Sequence, residues 1–243
     1  MVTIQLEQSK SDDCWILTAP SAQHLSLPTL ETSWFDPEQL NSELTLTGQA
    51  QGRGTTYFMQ YQQQQLVLRH YRRGGLVGKV IQDSFLYTGM HNTRPYRELQ
   101  LLEQLTQWGL PSPKPIGGRV TRKGLWWRGD LLSELIPNAS DVHQVLRSRA
   151  LSEFEWRHVG ATIRRFHNKQ VFHHDLNIHN IMLDSEGQAW LIDFDKCGIR
   201  SGEGWKQANL ERLLRSLRKE KQQSGHYYFE EDAWRFLIEG YQG

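Results

Sequence analysis

The chain has 243 residues, of which 38% are hydrophobic and 23% charged, enough to bury a sizeable core in one large domain or two small lobes without covalent staples. A formal net charge of +1 excludes the basic excess of a dedicated nucleic-acid binder, so no nucleic-acid partner is expected and charge-driven partners must be sought in local patches. The two cysteines, Cys14 and Cys197, lie far apart and form neither a disulfide framework nor a zinc ribbon, which suits a reducing compartment. No basic start leads into an apolar run, and no window approaches membrane-spanning length; a soluble or at most membrane-associated protein is expected.

Taken in chain order, the first half reads as strands and the second mainly as helices, which predicts segregated α+β layers rather than an alternating parallel sheet. Strands are predicted at Leu44–Thr47, Thr55–Tyr61 and Gln65–Tyr71, resembling an antiparallel meander, with Gly48, Gly52 and Gly54 between the first two. Leu99, Leu102 and Leu105 recur at helical spacing within Pro95–Trp108, and Gly109, Pro111, Pro113 and Pro115 end that helix. A strand pair follows at Gly118–Thr121 and Leu125–Leu135, and Pro137 and Asn138 mark a lobe boundary, giving lobes of 1–136 and 137–243. The second half opens with Asp141–Ser148. It continues with a helix announced by the capping-box spacing of Ser152 and Glu155, whose buried stripe is Trp156, Val159, Ile163 and Phe166. Two apolar runs, Ile181–Leu183 and Trp190–Ile192, are joined by a turn at Ser185–Gly187, and helices near Asn209–Lys219 and Glu230–Tyr241 close the chain.

The segment His173-His174-Asp175-Leu176-Asn177-Ile178-His179-Asn180, followed by Leu191-Ile192-Asp193-Phe194-Asp195, matches the protein-kinase catalytic loop and metal site in order and spacing. Phosphoryl transfer needs these residue types. A carboxylate at Asp175 can orient a hydroxyl nucleophile and take its proton, and Asn180 and Asp193 supply hard oxygen ligands suited to Mg2+ beside ATP phosphates. Asn177, where protein kinases carry a lysine, and His173 complete the catalytic set, His173 as a loop-bracing residue. Taken singly, Asp175, Asn180 and Asp193 read as turn caps; taken together they favour the kinase. A metal site built from His173, His174, His179 and Asp193 is the rival arrangement.

Upstream, Gly52, Arg53 and Gly54 are placed to bring backbone N–H groups to nucleotide phosphates, although Tyr57 stands where the pattern has its third glycine. Arg69 occupies the usual position of the phosphate-binding lysine, with Lys79 as the fallback. Glu98 is expected to pair with that cation, and Glu134 is assigned with them to nucleotide binding. The basic stretch Arg69, His70, Arg72, Arg73 and Lys79 is expected to draw an anionic acceptor or an anionic membrane surface; Arg72, Arg73, Lys79 and Asp195 are the acceptor-side candidates. Trp126, Trp127 and Trp205 could add an interfacial face, although tryptophans at these spacings are more often core residues.

On Gly52–Gly54, Leu68–Leu76, His173–Asn180 and Leu191–Asp195, across roughly residues 45 to 220, the chain resembles the lipopolysaccharide kinase family of the protein-kinase-like superfamily. The resemblance implies a bilobal fold and transfer of the ATP γ-phosphate, with Mg2+, to a hydroxyl of 3-deoxy-D-manno-octulosonic acid (Kdo). The expected acceptor is the 4-hydroxyl of Kdo on the Kdo-lipid A precursor. It places the protein peripherally on the cytoplasmic side of a bacterial inner membrane, with no protein partner, and makes Asp175 the base. Asp195 in place of the DFG glycine and the absence of an A-P-E segment argue against protein substrates. Alternatives are a heptose or aminoglycoside type of kinase, or a catalytically silent nucleotide-binding module.

Overall fold

A computed structural model describes residues 4–8, 13–40, 42–51, 55–73 and 83–243. The chain divides into two compact units: Met1–Gln107 with Lys114–Leu135, and Trp108–Pro113 with Ile136–Gly243.

The first unit is built on an eight-stranded antiparallel sheet. Its strands are β1 (Gln5–Gln8), β2 (Cys14–Thr18), β3 (Leu44–Gln51), β4 (Thr55–Tyr61), β5 (Gln64–His70), β6 (Phe85–Leu86), β7 (Pro115–Lys123) and β8 (Trp126–Glu134). They run in the order β1-β2-β7-β8-β5-β4-β3, with β6 also paired to β8. The β3–β5 meander and the β7–β8 hairpin are the elements expected from the alternating pattern. The β1–β2 hairpin, docked through Cys14↔Thr121, is an addition that the short N-terminal runs did not announce. Strand β3 does not stop at Thr47 as expected: a bulge between Leu46 and Gly48 carries the ladder on to Gln51. A glycine in a strand permits such a bulge, and Phe58 packs over Gly48. Helix α1 (Arg94–Gln107) packs on β7 and β8 with Leu99, Leu102 and Leu105 buried.

The second unit is mostly helical: α2 (Val142–Ser148), α3 (Glu153–Asn168), α4 (Gly204–Gln223) and α5 (Ala233–Gln242). Its small sheets are β9 (Ser140–Asp141) with β11 (Ile181–Leu183) and β12 (Ala189–Leu191), and β10 (Val171–Phe172) with β13 (Gly198–Ile199). The capping box forms in both directions: Glu155 N donates to Ser152 Oγ at 3.2 Å, and Ser152 N donates to Glu155 Oε2 at 2.7 Å. The forked Arg149 guanidinium and the Ser152 donors hold the Glu155 carboxyl down to about 2. All four residues of the α3 stripe are buried. Helix α4 starts earlier than the leucine pattern indicated and α5 later, because Trp205 is buried ahead of the leucines while Glu230 and Glu231 lie in the exposed approach to α5. The connection Trp108–Pro113 also belongs to this unit, so the division is not a single cut at residue 136. Hydrogen bonds explain the attachment: Leu191 N donates to Pro111 O at 3.0 Å and Arg165 Nη2 to Gly109 O at 2.7 Å.

Helices α3 and α5 approach at two glycines. A Cβ on Gly160 would strike the Leu237 carbonyl and the Tyr241 amide, and one on Gly240 would strike the Arg157 carbonyl. Backbone cannot move aside as a side chain can. Gly160→Ala is therefore expected to force α5 outward and lower stability by about 2 kcal/mol, roughly 5 °C in the thermal midpoint. An unchanged midpoint by calorimetry would show that the two helices are not held at that separation.

Candidate active site

The loop between β10 and β11 is organised from behind by its own main chain. The Asp175 carbonyl accepts from Asn177 Nδ2 at 3.0 Å and from Asn180 Nδ2 at 2.9 Å, so two side chains fix the peptide that follows the Asp175 carboxylate. Asn177 Oδ1 in turn accepts from His179 N at 2.9 Å and caps a single 3-10 turn over Ile178–Asn180. Both ends of the Asn177 carboxamide are thus engaged inside the loop, where a lysine would have projected a charge. Leu176 and Ile178, both fully buried, anchor the loop in the core, and Ser216 Oγ of α4 accepts from Ile178 N at 3.0 Å.

His173 is 2% exposed and donates from Nε2 to the Ile192 carbonyl at 2.9 Å. Burial pushes its imidazole below the ordinary value, against the Ile192 carbonyl and the Asp193 and Asp175 carboxylates that pull it upward. It is a neutral brace within the protein interior and presents no face to a substrate. Its backbone carbonyl is held by Asn209 Nδ2 of α4 at 2.8 Å, and its ring meets Phe194 edge-on at 5.2 Å. Phe194 is itself buried and stacks on Phe166 of α3 at 5.7 Å.

The hairpin β11–β12 then returns the chain beside the loop, and Ile192 N donates to the Asn180 carbonyl at 3.1 Å. That bond makes Asn180 and the residue before Asp193 backbone neighbours. Asp193 has φ of 61°, in the left-handed region that Asp tolerates better than most residues, so the chain reverses at the candidate metal ligand itself. Asn180 spends its Nδ2 on the Asp175 carbonyl, which turns Oδ1 into the end available to a cation; with the Asp193 carboxylate the donor set is two hard oxygens, fitting Mg2+. The following turn is tied by Cys197, whose thiol donates to the Asp193 and Asp195 carbonyls at 3.8 and 3.6 Å. His173, His174, His179 and Asp193 do not converge as a metal cluster among the described residues.

Asp175 is half-exposed, and its Oδ1 accepts from Arg212 Nη1 at 3.2 Å. Sequence reasoning missed Arg212, which lies 37 residues downstream on α4. The signal was indirect: Asn177 removes the cation expected two residues after the base, so another had to come from elsewhere in the fold.

In the first unit, Arg69 lies on β5 and Glu98 on α1. Arg69 Nη2 donates to Glu98 Oε1 at 2.5 Å, and the Tyr71 hydroxyl donates to Glu98 Oε2 at 2.7 Å. Glu98 is 4% exposed, so it is a buried anion held by a cation rather than a solvated helix residue. Next to it, His70 lies between Asp130 at 2.7 Å and Asp83 at 3.3 Å; burial pulls its pKa down, but the two carboxylates win and raise it. Glu134 ends β8 and faces His24 Nε2 at 3.3 Å. Arg72 is exposed, whereas Arg73 Nε donates to the Ser84 carbonyl at 2.6 Å and its guanidinium lies over Phe85 and Trp126. Gly52, Arg53, Gly54 and Lys79 lie outside the described residues. Of the three tryptophans for which interface and core were both open, Trp127 and Trp205 are core residues at 3% and 6% exposure and Trp126 is exposed.

Arg69→Ala removes the cation that compensates the buried Glu98 carboxylate. Because Arg69 is itself partly exposed, the loss of stability is expected at about 2–3 kcal/mol, below that of a fully buried pair, with Arg69→Lys recovering most of it. Denaturant unfolding checks this; equal stability of Arg69→Ala and the parent would mean that Glu98 does not depend on that cation.

Comparison with known proteins bears on the same residues. Residues 38–241 match the model of the Lipopolysaccharide kinase (Kdo/WaaP) family. A 3-deoxy-D-manno-octulosonic acid kinase of Vibrio cholerae is 49% identical over 185 residues, covering 76% of this chain and 79% of the relative. One from Photobacterium profundum is 43% identical over 222 residues, covering 86% of this chain and 94% of the relative. Among solved structures, the kinase PK-1 of Cydia pomonella granulovirus aligns with a TM-score of 0.45 at 12% identity, covering 65% of this chain and 53% of its own. With the kinase-type loop and metal-ligand residues set in one braced structure and the family match spanning most of the sequence, the chain belongs to the lipopolysaccharide kinase (Kdo/WaaP) family and is a phosphotransferase.

Proposed function

We propose that this protein transfers the γ-phosphate of ATP to Kdo, at the 4-hydroxyl, on the Kdo-lipid A precursor of the lipopolysaccharide inner core. The observation that carries the reading is the half-exposed Asp175 carboxylate on a loop whose following peptide is fixed by the Asn177 and Asn180 carboxamides, in a chain 49% identical over 185 residues to a Kdo kinase. Asp175 Oδ1 is bonded to Arg212, so Oδ2 takes the proton of the acceptor hydroxyl as its oxygen bonds to phosphorus. Arg212 orients the Asp175 carboxylate, and supplies positive charge on the acceptor side that the catalytic-loop lysine gives in protein kinases. Asn180 and Asp193 hold Mg2+, which when bound neutralises charge on the ATP phosphates. Arg69, fixed in direction by Glu98, grips phosphate as a fork, with the Gly52–Gly54 backbone as a second donor set.

Labelled γ-phosphate transfer from Mg-ATP to purified Kdo-lipid A precursor tests this directly. Asp175→Asn is expected to lower kcat by about 1000-fold or more with ATP binding retained, and Arg212→Ala by about 10- to 100-fold with folding stability nearly unchanged, the pair being half-exposed. Phosphate found on heptose or an aminoglycoside instead of Kdo would replace the acceptor, and ATP binding without turnover would identify a silent module.

A second reading concerns location. Among the described residues no helix is long and apolar enough to cross a membrane. Leu86, Leu125 and Trp126 are nonetheless exposed at 55%, 68% and 42%, and Leu86 pairs with Trp126 across β6 and β8. Arg122 and Lys123 precede Leu125 and Trp126, while Arg128 beyond them is paired with Asp83 at 3.1 Å, so the apolar tip has positive charge on its Arg122–Lys123 side, as suits the anionic cytoplasmic leaflet of the inner membrane. The protein should sediment with phosphatidylglycerol vesicles and not with phosphatidylcholine vesicles. Trp126→Ser should weaken that binding by about 10-fold. Equal partition into both vesicle types, or no effect of the substitution, removes this reading.

A further inference from the structure

Phosphoryl transfer leaves one cluster of the second unit unused. His143 in the first turn of α2, His179 in the 3-10 turn before Asn180, and Glu220 in the last turn of α4 bring one ligand atom each to within 4.8 Å of one another. His179 Nε2 lies 3.2 Å from Glu220 Oε1, and His143 Nδ1 lies 3.6 Å from Glu220 Oε2. Donors on a tetrahedral zinc, each about 2.0–2.1 Å from the ion, stand roughly 3.3 Å apart; each imidazole already lies near that span from one of the two Glu220 oxygens, and a small rotation of the carboxylate would bring a single oxygen between them.

The cluster is held by bonds of its own. Asp141 caps α2 through Gln144 N at 2.9 Å and pairs with Met182 on β11, three residues beyond His179. Ser216, one turn before Glu220, accepts from Ile178 N, the residue next to His179. Three elements distant in sequence are thereby registered on one point before any ion arrives, which is what a preformed site requires.

Two polar atoms there lack the partners that buried groups have. His143 Nδ1 is buried with no hydrogen bond, since Glu220 Oε2 is too far to accept one, and the Tyr227 hydroxyl is buried without a partner on a ring 5.5 Å from the His143 ring. An orphaned imidazole nitrogen beside a largely buried carboxylate marks a place for an ion or an ordered water. Two imidazoles and one carboxylate are a ligand set for zinc or a neighbouring d-block divalent ion, not for magnesium.

We propose that His143, His179 and Glu220 form a second metal site, distinct from the Asn180–Asp193 pair, that binds Zn2+ or a related transition-metal ion with one position left to water. Such an ion ties α2 and α4 to the turn that carries Asn180 and stiffens the catalytic loop from its outer side. The proposal does not depend on which sugar is the acceptor.

The test uses the full chain, stripped with chelator and kept in millimolar Mg2+ so that the nucleotide metal ligands do not compete. Zn2+ affinity is measured against a chromophoric chelator, Co2+ is added to read its visible spectrum, and the thermal midpoint is recorded with and without Zn2+. The expected result is one Zn2+ per chain, a Co2+ spectrum of tetrahedral type and a Zn2+-dependent rise in the midpoint. His143→Gln and Glu220→Gln should each weaken binding by about 100-fold and abolish the rise, whereas His91→Gln, at an exposed histidine of the first unit, should change neither. Both metal-free variants are checked for folding by circular dichroism, and the rise with Zn2+ is read within each variant, so a general loss of stability does not imitate the result. Wild-type binding no tighter than that of the two variants, or an octahedral Co2+ spectrum, overturns the proposal in favour of a water-filled ion-pair cluster.

Discussion

The hydrogen bond from His173 Nε2 to the Ile192 carbonyl joins the two segments on which the chemistry rests, the loop carrying Asp175 and the strand end that delivers Asp193. The donor is dry: a buried imidazole with its pKa lowered by burial donates from Nε2, and the carbonyl that accepts would lose its side-chain donor without it. The reciprocal bond from Ile192 N to the Asn180 carbonyl closes the connection, so the candidate base, the candidate metal ligands and the hairpin are tied together through backbone. Phe194 backs the joint through Phe166 and His173, which turns a short polar loop into part of the core.

The polar groups of this loop divide into those that act and those that hold. Asn177 gives both ends of its carboxamide to backbone, and His173 Nε2, Asn209 Nδ2 and Ser216 Oγ each bond a backbone group as well. The Asp175 carboxylate and the Asn180 carboxamide oxygen are what that bracing leaves over for chemistry. A protein kinase puts a lysine next to its base; here the cation comes from helix α4 as Arg212, and the freed position is used to cap a turn. The same economy appears in the first unit, where Glu98 is buried at a cost that Arg69 and Tyr71 offset, fixing the direction of the arginine fork.

Much of this was legible in the sequence for identifiable reasons. The catalytic-loop and metal residues are contiguous or separated by one short hairpin, so spacing alone identifies them. The capping box of α3 and the α1 and α3 stripes are local patterns with fixed periods. Extension of β3 through Gly48 was hidden because glycine reads as a turn until a bulge absorbs it. Trp126, Trp127 and Trp205 could not be told apart in sequence because an aromatic in a basic neighbourhood looks the same whether its ring faces solvent or core; pairing with β6 buries Trp127, and packing against His167 and Phe172 buries Trp205.

The sequence by itself determined the reaction class, the candidate base Asp175, the candidate ligands Asn180 and Asp193, the β3–β5 meander, the β7–β8 hairpin and the main helices, because each depends on residues near one another along the chain. Tertiary structure alone decided that Arg212 meets Asp175, that Trp108–Pro113 belongs with the helical unit, and that His143, His179 and Glu220 converge. These are contacts among residues separated by tens of positions, set by how α2 and α4 pack around the catalytic loop, and no periodicity or spacing encodes such a meeting.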